Sequence, residues 1–221
     1  MMRRIFLLVI CLSVTCLFGC KEKGGQENTS STPVATDSAK VDSVAAPKVA
    51  TADSATLMNL AKEILQFAEK KDFGKIADYI HPTAGIRFSP YAYVDTAEHK
   101  HFTADVFRVQ ATTDAKKKVL WGTYDPIGDD IKVTVEAYFK EFGYDKNYLG
   151  EGQFGFNETM GGGTVINNTE EIYPGLPRVE TYWAPKDEEK APYEWGTIRL
   201  VFKEHEGKFY LVAWIHDAWN T

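Results

Sequence analysis

The chain has 221 residues, 44% of them hydrophobic, and a net charge of −6, which is enough apolar material for one or two globular domains. The excess of acid over base gives no electrostatic support for a nucleic-acid partner. The three cysteines, Cys11, Cys16 and Cys20, all precede residue 21, so the remainder of the chain holds no disulfide of its own.

Arg3 and Arg4 lead into an apolar run over residues 5–18. The run is shorter than the roughly 20 residues of a spanning helix, and its flanks are those of an export signal. It ends Leu17-Phe18-Gly19-Cys20. This resembles the lipobox of bacterial lipoproteins, with Phe18 departing from the small or branched residue usual there. The resemblance implies a signal peptide over 1–19, cleavage before Cys20, and lipid on the Cys20 sulfur, usually with an N-acyl chain too. Two acyl signals give stable membrane attachment. Lys21 stands where an Asp would favour the inner membrane, so the expected place is the outer membrane, on its periplasmic or surface side. Residues 21–53 contain no aromatic residue, Leu or Ile. Such a segment cannot bury enough surface to offset its ordering entropy, and is read as a disordered tether reaching roughly 30 Å.

From Ser54 onward the composition is that of one folded domain, with 19 Lys+Arg against 26 Asp+Glu. Leu57, Leu60, Ala61, Ile64 and Ala68 recur at helical spacing, with Asp53 or Ser54 as cap. A short second helix starts at Asp72 and stops at His81-Pro82, because proline disfavours helix in the residue before it. Residues 85–94 read as extended, with a break at Pro90. Thr103 caps a short helix, 118–124 is a strand, 125–130 a turn, and Thr134 caps a helix with Val135, Tyr138, Phe139 and Phe142 on its apolar side. Strands are expected over 152–158, 164–167 and 178–183, followed by a charged loop at 186–190.

Residues 195–216 form the final hairpin, turning at Glu206-Gly207, where Gly supplies the positive φ of a two-residue loop. With His205 opposite Lys208, Arg199 falls opposite Trp214 and Thr197 opposite His216. Ile198, Leu200 and Phe202 then share one face with Leu211, Ala213 and Ile215. The other face, with Val201, Tyr210, Val212 and Trp214, is too apolar for solvent. It requires cover from a chain insert or from a second copy in a homodimer.

Helices first and an antiparallel sheet after them define an α+β class. The helix ending Asp78-Tyr79-Ile80-His81-Pro82, the strand Gly85-Ile86-Arg87-Phe88-Ser89 and the long final strands resemble the nuclear-transport-factor-2-like, cystatin-like cone superfamily. Residues 85–94, 121–125 and 214–217 are similar to a family of uncharacterised bacterial lipoproteins. The resemblance implies N-terminal helices packed on a strongly twisted, mainly antiparallel, cone-shaped sheet, with ligand entering between helix and concave sheet. It brings no reaction, because that superfamily holds both enzymes and binding modules.

The polar and aromatic residues expected to line such a space are Arg87, Tyr93, Glu180, Tyr182, Arg199, Trp214 and His216, with Trp214 stacked on Arg199. A buried Arg needs a partner, so an Arg–Glu pair is the structural alternative. His216-Asp217 is no dyad, since neighbours on a strand point to opposite faces. His99 and His101, with Glu98 and Asp105 nearby, read as a solvated loop rather than a metal site. Asp125, Asp129 and Asp130 lack calcium-loop spacing, and Gly161-Gly162-Gly163 lacks the Lys and helix of a phosphate loop. No metal, cofactor or nucleophile motif is expected. The reading is a membrane-anchored binding module for a small molecule or protein. The alternative is an isomerase, dehydratase or cyclase that uses a carboxylate or His in the cone.

Overall fold

Helix α1, Ser54–Glu69, begins at Asp53, whose carboxylate accepts from the Thr56 N–H at 3.1 Å. That bond satisfies one of the orphan donors at a helix start. The computed structural model describes residues 53–163 and 165–219; the expected signal peptide, Cys20 and tether up to residue 52 lie outside them. Leu57, Ala61, Ile64, Leu65 and Ala68 are the buried face of α1, and each buried Leu or Ile contributes roughly 1.5–3 kcal/mol. Helix α2, Phe73–Ile76, tightens into a 3-10 turn at Ala77–Tyr79 and gives way to extended geometry at Ile80, ahead of Pro82.

Next come β1 (Ile86–Ser89), β2 (His101–Phe102) and α3 (Ala104–Ala111), capped by Thr103. Strands β3 (Val119–Thr123) and β4 (Asp130–Val133) pair as a separate hairpin. Helix α4, Val135–Tyr138, is capped by Thr134 and widens into a π turn over Phe139–Gly143. After α5 (Tyr148–Glu151) and β5 (Gln153–Phe156), no strand forms over 165–167, where one was expected. There Asn167 Oδ1 accepts from the Thr169 N–H, while the Asn168 side chain bonds both the N–H and the C=O of Val94. Such side-chain bonds to backbone compete with a strand ladder. The chain ends with α6 (Thr169–Ile172), β6 (Arg178–Trp183), α7 (Ala191–Glu194), β7 (Gly196–His205) and β8 (Lys208–Ala218).

The main sheet has the order β2-β1-β8-β7-β6-β5. Every neighbouring pair is antiparallel except β1 with β8, and the sheet does not close into a barrel. One face packs on the helices. There Leu57 and Ile64 of α1 and Phe139 of the π turn meet Leu200, Phe202, Leu211 and Trp214, all at most 2% exposed. The opposite face is covered by the chain itself: Val94, Ile172, Tyr173 and Leu176 pack on Val201, Val212, Ala213 and Ile215. The apolar surface that suggested a second copy therefore has its cover within one chain. Among the described residues no helix is long and apolar enough to cross a membrane.

The final hairpin departs from the expected register halfway along. His205 does face Lys208, and the turn uses positive φ at both Glu206 and Gly207, the signature of a type I′ turn. Phe202 faces Leu211, but Val201 faces Ala213, so Val212 is an extra residue in β8. A bulge of this kind shifts all later pairs by one, and a one-residue shift exchanges the faces. Leu200 thus faces Trp214, Arg199 faces Ile215, Ile198 faces His216 and Thr197 faces Asp217. Trp214 does not stack on Arg199; the two lie on opposite sides of the sheet. Trp214 lies in the helix-side core, its Nε1 donating to the Gly143 carbonyl at 3.1 Å.

Candidate functional site

Two consecutive β8 residues, Val212 and Ala213, join the apolar cluster on the second face because of the bulge. Arg87 of β1 pairs with Ala213 on one side, and Lys203 of β7 pairs with Tyr210 on the other. Adjacent strands are about 4.8 Å apart, and the β8 partners Ala213 and Tyr210 are three residues apart at about 3.3 Å each, so the Cα atoms of Arg87 and Lys203 stand roughly 12–14 Å apart on the sheet, with Val212 between them. Segment 172–176 forms a wall over this floor through Ile172, Tyr173 and Leu176. The result is a groove of about 400 Å³ with an apolar bottom and Arg87, Lys203 and His101 at its rim. That volume lies within the range of small-molecule sites.

The groove is electropositive in an acidic protein. Arg87 Nη1 donates to the His99 carbonyl at 2.6 Å. Burial raises the Tyr173 phenol, and the neighbouring Arg87 works against that rise. The acid closest in influence is Asp95, held below its usual value by the N–H groups of Glu98 and Ala97, with Arg87 adding to the effect. Among the described residues neither Arg87 nor Lys203 forms an ion pair with a carboxylate. Lys203 also helps hold His81 below the usual imidazole value, where burial is the larger cause.

The other candidate residues are dispersed. Glu180 and Arg199 form a fully buried pair: Arg199 Nε donates to Glu180 Oε2 at 2.6 Å, and Nη1 to Thr169 Oγ1 at 3.0 Å. Glu180 Oε1 accepts from the Met160 and Gly161 N–H groups at 2.8 and 2.9 Å, so the pair anchors the glycine loop to the sheet. Tyr182 stacks on Trp195 and borders a separate groove with Trp183 and Gln153. Tyr93 is exposed, beside a smaller groove of about 340 Å³ that also contains His99 and Asp95. His216 lies on the helix side, its Nδ1 2.9 Å from the Pro90 carbonyl and its Nε2 3.4 Å from Asp145 Oδ1. Burial pushes the Asp145 carboxyl up, but His216, Tyr148 and Lys146 together bring it below the usual range. The carboxylate partner of His216 is therefore Asp145, not its chain neighbour Asp217.

His99 is buried rather than solvated. Its Nδ1 lies 2.9 Å from Ser89 Oγ and accepts from the Asp95 N–H at 3.0 Å. Burial lowers its pKa to about 4. Gly122 makes room for the ring, since a Cβ there would sit 3.0 Å from it. Ser89 is wholly buried and also donates to the Tyr91 carbonyl, which suits a turn-holding hydroxyl rather than a nucleophile.

The space between α1 and the sheet, where a ligand was expected, is packed core. A larger groove of about 640 Å³ runs along its edge, between α1 and the hairpin turn. Its acids are already engaged, Glu63 accepting from Tyr79 at 2.8 Å and Asp78 paired with Arg108 at 2.8 Å. The Arg87 groove is lined by two cations and no acid, and is the better site. Lys203 was missed as a site residue, although its spacing of four from Arg199 already placed the two on one face. Comparison with protein-family models, with curated proteins and with solved structures returns no match.

Proposed function

We propose that this chain is a lipoprotein of the bacterial cell envelope, anchored through Cys20, whose α+β domain is a cone-like, nuclear-transport-factor-2-like module that binds a small molecule. The Leu17-Phe18-Gly19-Cys20 sequence behind its charged and apolar leader supports the anchor, with the outer membrane as the favoured location. A long helix packed on an open, mainly antiparallel sheet supports the domain class. The observation that carries the binding reading is the Arg87 groove, apolar at its floor and unpaired in charge at its rim. The enzyme reading has less behind it. His216 is buried and held between the Pro90 carbonyl and the partly buried Asp145, and the Nδ1 of His99 is occupied by Ser89 and the Asp95 N–H.

Two measurements test this proposal. Cells fed a fatty-acid analogue should label the wild-type chain and leave Cys20→Ala unlabelled; equal labelling of both removes the anchor. Thermal melts against a metabolite library should show compounds that raise the wild-type midpoint. A library with no stabilising member removes the binding module.

A further inference from the structure

The Arg87 groove specifies a chemical class, and this step rests on the binding reading above. Its floor is Val212 and its wall carries Ile172 and Leu176, a hydrocarbon surface that gains by excluding water from an apolar body. Its rim holds two permanent cations from different strands. The Lys203 ammonium has no acceptor among the described residues. Arg87 has five N–H donors; the His99 carbonyl takes one and the Tyr173 hydroxyl another, which leaves donors for a ligand. Tyr173 sits beside the guanidinium. Asp95, the acid nearest in influence, already accepts from the Ala97 and Glu98 N–H groups through Oδ1.

Arg87 is partly buried and in no ion pair with a carboxylate, which is costly, and a ligand anion that completes it recovers part of that cost; Lys203 is exposed and contributes its charge alone. Arg presents a planar fork that matches the two oxygens of a carboxylate. Lys203, on the far side of Val212, adds a point charge that draws the same head group towards the centre of the floor. A neutral ligand of equal shape would fill the floor and leave both cations unmatched. A bare inorganic anion would match the cations and leave the floor wet.

We infer that the groove binds a small amphipathic anion: a carboxylate head held by Arg87 and Lys203, and an apolar body packed between Val212 on one side and Ile172 and Leu176 on the other. The bulge in β8 makes this arrangement, since it brings Val212 to the second face between the two cationic strands.

The test uses full-length protein in a neutral detergent, titrated calorimetrically with 4-phenylbutyrate, its amide 4-phenylbutanamide, and acetate. The carboxylate should bind at least tenfold more tightly than the amide and than acetate, and its affinity should fall with added salt. Lys203→Gln, an exposed change that leaves the fold intact, should weaken the carboxylate severalfold and leave the amide unchanged. Arg87→Lys should weaken it as well, by replacing the fork with a point charge. Equal binding of carboxylate and amide overturns the anion class and leaves the binding module standing. Binding that is indifferent to Lys203→Gln overturns the groove as the site. If none of the three binds, the anion proposal falls. The same melts against neutral and cationic library members then decide whether the binding reading falls with it.

Discussion

Arg199 Nε donates to Glu180 Oε2 across 2.6 Å, and neither side chain has exposed surface. Removing one partner strands a buried charge, which costs about 3–5 kcal/mol. Glu180→Ala should therefore lower the melting midpoint by roughly 6–20 °C for a domain of this size. It should also free the Met160 and Gly161 N–H groups, so the glycine loop should become more sensitive to protease. The double variant Glu180→Leu with Arg199→Met should recover most of the loss, because well-packed apolar replacements of a buried pair are often neutral. Equal melts for Glu180→Ala and wild type contradict the account.

Asp217 and His99 have opposite effects on acid stability. Burial pushes the Asp217 carboxyl up to about 6, with Glu180 adding to the rise while Arg199 and His216 oppose it. A carboxyl with a raised folded pKa holds its proton more tightly when folded, so its contribution to stability falls as pH rises from about 4 to 6. Burial lowers His99 to about 4, so the folded state binds fewer protons there. That contribution is lost as pH falls from about 6.5 to 4. Asp217→Asn removes the first slope alone. Its stability relative to wild type should rise between pH 4 and pH 7, on the order of 2 kcal/mol. Denaturant melts giving a difference constant over that range rule this out.

Much of the fold was legible in the sequence. The caps at Asp53, Thr103 and Thr134, the stop ahead of Pro82 and the hairpin turn at Glu206-Gly207 all carry local chemistry that a sequence displays. The bulge was not legible. Residues 209–215 are apolar at both parities, so neither register leaves a charge on the wrong face, and the pattern cannot reveal an extra residue. The site was illegible for the same reason. Which face Trp214 and His216 occupy depends on that one residue. The groove also needs the wall at 172–176, which no local pattern ties to β1.

Deleting Val212 tests the bulge. In the observed register, removing the extra residue leaves Phe202 opposite Leu211 and Val201 opposite Ala213, so every later pair keeps its face. The variant should fold cooperatively, keep the buried emission of Trp214, and lose about 1–3 kcal/mol for one buried Val. In a hairpin without a bulge the same deletion would turn Trp214 and Ile215 to the wrong faces, and no cooperative melt would be seen.

The turn residue Glu206 has φ 51°, a left-handed conformation that costs a side chain with Cβ but that Asn tolerates. Glu206→Asn creates the favoured Asn-Gly pair and should raise stability by about 0.5–1 kcal/mol. An unchanged or lowered midpoint would mean that the turn is not type I′.

The claim that the Arg87 groove is the binding site is tested most directly by hydrogen exchange on the full-length protein, with and without 4-phenylbutyrate. The account predicts slower exchange gathered in two separate segments, residues 84–88 and 172–176, with no change along α1. Protection gathered instead at Thr56, Tyr79 and Tyr210, which border the groove beside α1, would contradict it.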